Sequence, residues 1–380
     1  MNLIALKMLF GDRAKYLGLI LGIAFSTLLI CQQLSIFIGL LNRAASVIDD
    51  AREVDVWVSD PSVSTIDITF ALRDTELSRV RGVEGVAWAA PFFRAQAAVR
   101  TPAGALENAL VIGVDDISLA GIPQTFIHGR ASDLFLPDAI MMDPQGFALL
   151  FPAVEYRPGL ELEINDRRAV IVGIVDSSKA FSSNLIIYTR YSQATRYTNN
   201  GRNRLSYILV RALDGQEPAL VAARIAQETG LKARTRAEVR WDTISYILEN
   251  TGIPISFGTV VTLGVLVGIA IVSLTFNQFI IENIKQYAAL KAIGVSNRTL
   301  LVMTLLQGLT VAAIGYGFGL GAAAMFFYYV PPQADGLRGF FLPWQVASLV
   351  AVIALMIVLI SSVVSLRKVL SVAPADVFRS

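Results

Sequence analysis

Residues 282–297 read ENIKQYAALKAIGVSN, the only charged interruption between two very long apolar runs. Within it an apolar side recurs at Ile284, Tyr287, Ala288 and Lys291–Ala292, close to helical spacing. Glu282, Lys285 and Lys291 keep the rest of that surface wet, and Gly294 supplies a helix stop. The expected element is a short amphipathic helix held between two membrane spans, where another protein can push on it.

The composition around this stretch points to an integral membrane protein. Of 380 residues, 54% are hydrophobic and 16% charged, against about 25% charged in soluble domains. Residues 43–249 carry 22 basic and 26 acidic residues, a net of −4, and the remainder carries 10 and 4, a net of +6. Such segregation is expected when one part is translocated and the rest faces the cytosol. Cys31 and His128 are the only residues of their kinds, so an intrachain disulfide and a His/Cys zinc cluster are both excluded. The lipid bilayer is the first expected partner; no nucleic acid is expected.

Residues 1–15, with Lys7, Arg13 and Lys15 among apolar side chains, read equally as an interfacial helix on the cytosolic leaflet or as the basic flank of the next span. Residues 16–42 hold no charge. They exceed the about 20 apolar residues a span needs and outrun a signal-peptide core, so an uncleaved anchor is expected. The basic flank places its start in the cytosol. Gly18 and Gly22 give it a small-xxx-small pair.

Residues 43–249 change character to mixed charge and short alternating runs, an α+β domain on the far side with room for two lobes. Strands are expected at 53–59, with Val54, Val56 and Val58 on one side, and at 96–100, 109–114, 160–164, 169–175, 184–188 and 206–210. Helices are expected at 77–86, closing at Gly82 or Gly85, and at 218–229, stopped by Gly230.

A second span follows at 251–281 with Gly264 and Gly268, then the opening stretch and its elbow at 282–298. The third span, 299–330, contains GYGFGLG, where Gly315/Gly319 and Gly317/Gly321 are four apart. A phosphate-cradling loop needs a following lysine, which is missing, so helix packing is the reading. Residues 331–343 form a short outer loop whose only charges are Asp335 and Arg338, and Phe340, Phe341 and Trp344 suit an outer aromatic belt. The fourth span covers 344–366, and Arg367 and Lys368 hold the tail, 367–380, in the cytosol. The expected fold is an α-helical membrane protein with four transmembrane helices and a large α+β extracytoplasmic domain between the first and second.

Catalytic signatures are scarce. GxxxxGK[ST], GxSxG and HExxH are all absent from the sequence. The acidic pairs Asp49/Asp50, Asp115/Asp116 and Glu161/Glu163 read as solvated faces or strand edges, and His128 as structural. No catalytic, metal or cofactor residue is assigned. The spans hold no ionisable side chain beyond tyrosine and Cys31, which argues against a self-sufficient secondary transporter.

This layout resembles the MacB/FtsX-type permeases of ABC systems. The likeness rests on the basic start running into span one (residues 6–23), on IENIKQYAALKAIGVSNRTL with its Lys291-Ala292-Ile293-Gly294 turn, and on Arg367-Lys368 followed by Ala373-Pro374-Ala375-Asp376. VRGVEGVAWAA at 80–90, then Pro91, is similar to the family's periplasmic core, and the end of span one with DVWVSD looks most like the DevC branch. Glu282-Asn283 with Lys285 departs from the more basic "RxREIG" run of many members.

The resemblance implies a multi-pass protein of the bacterial inner membrane, both termini cytosolic, that lacks its own ATPase and works with a separate ABC ATPase subunit holding the ATP. It implies coupling through Glu282, Lys285, Gln286, Tyr287, Leu290, Lys291 and Gly294. It further implies a homodimer and, in the MacB and DevC branches, a periplasmic adaptor with an outer-membrane channel. Export by mechanotransmission is the leading expectation. The alternatives are a non-transporting FtsX-type signalling protein that controls a cell-wall hydrolase, and an ectoenzyme anchored by four spans.

Overall fold

The computed structural model describes residues 13–371 apart from 103, 153, 179, 182, 184, 199–203, 332–336 and 338–339. The expected interfacial helix therefore lies outside the described residues from 1 to 12. The tail from 372 onward, Asp335 and Arg338 lie outside them too. The chain divides into two units, Met1–Gly39 with Gly252–Ser380, and Leu40–Thr251.

The described helices are α1 (Arg13–Ala44), α2 (Ser46–Asp50), α3 (Asp74–Arg81), α4 (Pro144–Leu150), α5 (Tyr191–Tyr197), α6 (Pro218–Thr229), α7 (Arg236–Asn250), α8 (Ile253–Glu282), α9 (Ile284–Ala292), α10 (Asn297–Tyr329) and α11 (Trp344–Ser371). The strands are β1 (Val56–Ser59), β2 (Leu72–Arg73), β3 (Val86–Arg100), β4 (Leu106–Val114), β5 (Phe126–His128), β6 (Ala139–Met142), β7 (Leu160–Ile164), β8 (Arg167–Val175), β9 (Ile186–Arg190), β10 (Arg204–Leu205), β11 (Tyr207–Ala212) and β12 (Lys232–Thr235).

Among the described residues, α1, α8, α10 and α11 are long and apolar enough to cross a membrane. α10 is the centre of their packing. Its buried positions form a row every four residues at Met303, Gln307, Val311, Gly315, Gly319, Ala323 and Phe327, flanked in its first half by a second row at Leu300, Thr304, Gly308 and Ala312, so one stripe meets its neighbours. On that stripe the backbones come close. A Cβ at Gly315 would stand 3.0 Å from the Ile20 carbonyl oxygen of α1, and one at Gly319 would stand 2.5 Å from that of Ala24. Gly22 and Gly268 do the same for the α1–α8 contact, with Ile271 and Ser26 each 2.6 Å from the absent Cβ. Gly18 and Gly264 are looser, at 3.7 Å from Thr275 and 3.3 Å from Ile30.

Gly317 and Gly321 differ from the expectation. Nothing lies within 4 Å of a Cβ at either, because both project from the flank of α10 away from this stripe. Two unforeseen glycines are tight instead: Gly308 against Val358 of α11, at 2.8 Å, and Gly39 against the ring of Phe340, at 2.6 Å. Phe340 is therefore buried and no part of an aromatic belt, whereas Phe341 and Trp344 are exposed.

The second unit is α+β. Its strands run in the order β12-β1-β11-β3-β4-β9-β6-β8-β5, and β7 pairs with both β3 and β8. β3 is the spine. Its first half pairs with β11, from Val86 to Phe92, and its second half pairs with β4, from Phe93 to Arg100. Through β7 the pairings β3-β4-β9-β6-β8-β7-β3 close a ring. The β7–β8 hairpin turns on Asn165 and Asp166, both at positive φ, as a two-residue turn between right-twisted strands requires. Asn165 also takes the Ala98 N–H and donates to the Tyr197 carbonyl.

One core, with Trp57, Phe92 and Tyr207 edge to face at 5.3–6.5 Å, joins β1, β3 and β11 to β4, β6 and β9. A second lies between β1, β3, β11, α3 and α6, and a third lines the ring against α4 and α5. β1 is buried on both faces. Val56 and Val58 join the second core while Val54 joins the first with Trp57, so the three valines do not share a side. The helix expected at 77–86 runs instead over α3, with Gly82 as its cap. α6 matches its expected limits, with Pro218 in the first turn and Gly230 left-handed.

Arg94 is the unusual core residue, almost fully buried on β3. It pairs with Asp67 and donates to the Ile66 carbonyl at 3.1 Å. The Tyr207 hydroxyl lies over the Thr65, Ile66 and Ile68 carbonyls of the same loop at 3.2–3.4 Å, and burial pushes that phenol up. Together they strap residues 60–71 to the sheet.

Replacing Arg94 with Met is expected to lower the unfolding free energy by about 3 kcal/mol, because the Ile66 carbonyl and Asp67 lose their buried partner; chemical unfolding of the full chain measures it. Gly319→Leu is expected to cost about 1–3 kcal/mol through overpacking, seen as a lower melting temperature in detergent. Gly317→Leu is expected to leave that temperature unchanged.

Candidate functional site

α8 stops at Asn283, whose side chain donates back to the Phe279 carbonyl at 2.8 Å. The Asn283 N–H donates to the same carbonyl at 3.2 Å, so backbone and side chain together close the end of α8. The Gln286 and Tyr287 N–H groups then take the Asn283 carbonyl as the first bonds of α9. At the other end α9 closes in a Schellman arrangement. Gly294 sits at φ +92°, its N–H reaches the Lys291 carbonyl at 3.0 Å, and the Val295 N–H reaches that of Leu290 at 3.1 Å. No atom crowds Gly294, so glycine is required there by φ alone. Leu290 and Val295, the hydrophobic pair of this motif, both pack on the core formed by α1, α8, α10 and α11. Ser296 then caps α10 by accepting the Thr299 N–H.

The seven sequence-assigned residues separate by direction. Glu282, Lys285, Gln286 and Gly294 are exposed, while Leu290 and Lys291 are half-buried. Tyr287 points the other way and is buried with Ala288. Its hydroxyl donates to Gln307 Oε1 of α10 at 3.3 Å. Burial raises the phenol, while hydrogen bonds with Thr304 and Gln307 oppose the rise. Tyr287 thus holds α9 to α10.

Sequence reading missed two contributors. Gln307, fully buried in the third span, accepts the anchor bond; an amide deep in an apolar run is the signal that would have found it. Ile293 stands 79% exposed beside Gly294, and its apolar type just past the end of a helical pattern was the available clue. The outer face therefore combines Lys285, Gln286 and the bare Ile293 around a fixed turn. Among the described residues no pair of groups on it is poised for proton or group transfer.

The acidic pairs of the large domain serve local structure. Asp115 Oδ2 accepts from the N–H groups of Ile117 and Ser118, and Asp116 Oδ1 from the N–H and hydroxyl of Ser192. Glu161 meets Arg168 at 2.6 Å and Glu163 meets Arg100 at 3.3 Å. Asp50 accepts from Ser178 and Asp49 faces Arg240. His128 stacks on Tyr156 at 4.7 Å. No cluster of metal-ligating side chains occurs among the described residues.

Gly294→Ala is expected to cost about 1–2 kcal/mol through the left-handed backbone. Faster hydrogen exchange at the Gly294 and Val295 amides reports it, with the α10 amides unaffected.

Residues 258–374 match the FtsX-like permease C-terminal family. Residues 16–228, more than half of the chain, match the MacB-like periplasmic core domain. No curated protein matches the chain. Among solved structures it is similar to the periplasmic region of MacB from Actinobacillus actinomycetemcomitans, at 15% identity over 54% of this chain and 98% of that one, with a TM-score of 0.39. It is also similar to the extracellular domain of the noncanonic ABC-type transporter YknZ from Gram-positive bacteria, at 11% identity over 48% of this chain and 98% of that one, with a TM-score of 0.36. The two family matches meet the helices at one end and the α+β domain at the other, and the chain belongs to the FtsX-like permeases that carry a MacB-like periplasmic core domain.

Proposed function

We propose that this chain is the permease subunit of an ABC exporter, driven by a separate ATPase that docks on α9. The observation that carries the reading is the anchoring of α9: Tyr287 bonds to Gln307 on its inner side, and Lys285, Gln286 and Ile293 face outward. A load on that outer face passes through a buried hydrogen bond and the Leu290/Val295 contact into α10, so the helix acts as a lever and not as a slack connection. Membership in the family supports an ABC ATPase as the source of the load. The charge division, net −4 in residues 43–249 and +6 elsewhere, supports a cytosolic α9 with both termini on its side of a bacterial inner membrane.

In this reading the large domain faces the periplasm, where a homodimer meets an adaptor and an outer-membrane channel. ATP-driven closure moves the spans as rigid bodies and the domain expels a substrate. Arg240 of α7 supports transmission on that side. It donates to Asn42 near the end of α1 at 3.0 Å and meets Asp49 of α2 at 3.3 Å. The end of α1 is thereby tied to the helix that precedes α8.

The test is Lys285→Glu combined with Ile293→Glu in the full chain. Both side chains lie outside the packed core, so folding and membrane insertion are expected to persist. Co-purification with the partner ATPase and stimulation of its turnover are expected to fall at least tenfold. Unchanged capture and turnover would remove α9 as the docking site.

A further inference from the structure

We infer that the ATPase partner meets this chain through an acidic cleft, with carboxylates that take Lys285 and Arg298 on either side of an apolar pocket that takes Ile293. The inference rests on the exporter reading and deepens it: the contact extends from α9 to the first turn of α10, and the chemistry of the partner's surface is specified.

The argument begins with helix ends. Aligned peptide dipoles favour anions in the first turn of a helix and cations in the last. Lys285 is the second residue of α9 and Arg298 the second residue of α10, and neither helix has an acid in its first turn. Both side chains are exposed. Neither forms a hydrogen bond or an ion pair among the described residues. Each is a cation at the end of a helix that gains nothing from one. Lys291 is the opposite case. It stands in the last turn of α9, where the dipole favours it, is half-buried and interacts within the chain. Its charge is accounted for locally, so it is left out of the surface. The chain does not supply the missing anions either. From residue 250 to 334 Glu282 is the only acid, and Glu282 has its own interaction within the chain.

Basic residues at a cytosolic span end also orient the span, and anionic lipid headgroups can satisfy them. Ile293 separates the two cases. It lies between the cations in sequence and is 79% exposed. Its place is fixed by the left-handed Gly294 and by Ser296, which caps α10. The rise of α9 carries it about 12 Å along the axis from Lys285, and Arg298 follows past the Gly294 turn. A headgroup would meet one cation and leave Ile293 in water. A folded protein surface spans all three side chains.

Charge complementarity then sets what that surface carries. Carboxylates answer the two cations with charge-assisted hydrogen bonds, and an apolar pocket covers the isoleucine. Gln286 and Asn297, exposed next to Lys285 and Arg298 in sequence, supply a polar rim.

The experiment uses the full chain in nanodiscs of phosphatidylcholine and, as probe, the purified ABC ATPase whose turnover the chain stimulates. Arg298→Glu is expected to weaken association about tenfold, and Arg298→Lys to preserve it. Added salt is expected to weaken binding of the unmodified chain more than that of Arg298→Glu. An acid suits the first turn of α10, so the melting temperature of Arg298→Glu is expected to equal or exceed that of the unmodified chain. Undiminished association of Arg298→Glu would overturn the inference. If the Lys285→Glu, Ile293→Glu double variant still loses association in that case, α9 docking stands without it; if the double variant also binds normally, the docking reading falls as well. A lower melting temperature for Arg298→Glu would assign Arg298 to the fold. A loss of association seen only when phosphatidylglycerol is added to the nanodisc would assign it to lipid headgroups. Either result overturns the proposal.

Discussion

A single methyl at Gly319 would collide with the Ala24 carbonyl, and the membrane unit is arranged around that constraint. α10 can lie against α1 only where its stripe presents glycine, and Gly315 and Gly319 are one helical turn apart on it. Lipid supplies no hydrophobic reward for helices to associate, so close backbone contact has to supply the van der Waals gain. The same stripe, continued along α10, brings Gln307 to the Tyr287 hydroxyl. The register of the third span on the first therefore also decides where α9 is held. A helix of nine residues would be marginal alone in water; its inner-face contacts make it part of the bundle.

Directions on α9 divide its chemistry. Side chains of one sequence motif serve opposite ends: Tyr287 and Leu290 face the bundle, and Lys285 and Gln286 face outward. The glycine of the turn serves neither through contact. Its contribution is a backbone angle that lets the Leu290 carbonyl meet the Val295 N–H and starts α10 at Ser296.

Much of this was legible in the residues. Four long apolar runs, the charged break at 282–297 and the change of composition at residue 43 show through because length and charge are one-dimensional properties. So do α6, with its punctuation in Pro218 and Gly230, and the two strands expected at 160–164 and 169–175. Spacing alone misled at the GYGFGLG run. Two pairs four apart look alike in sequence, yet only the pair on the buried stripe of α10 touches α1. Tyr287 was assigned to coupling alone, and its bond to the buried amide of Gln307, 20 positions away, was not legible. β1 was found by its alternation, but its valines were placed on one side although both of its faces are covered.

β3 is one unbroken strand of 15 residues shared by two arrays. A force drawn along its axis loads the β11 and β4 ladders in shear, so their hydrogen bonds resist together. A force across it peels them one at a time, starting where β3 has a partner on one side only. The domain is therefore stiff to stretching along this strand and compliant to bending across it.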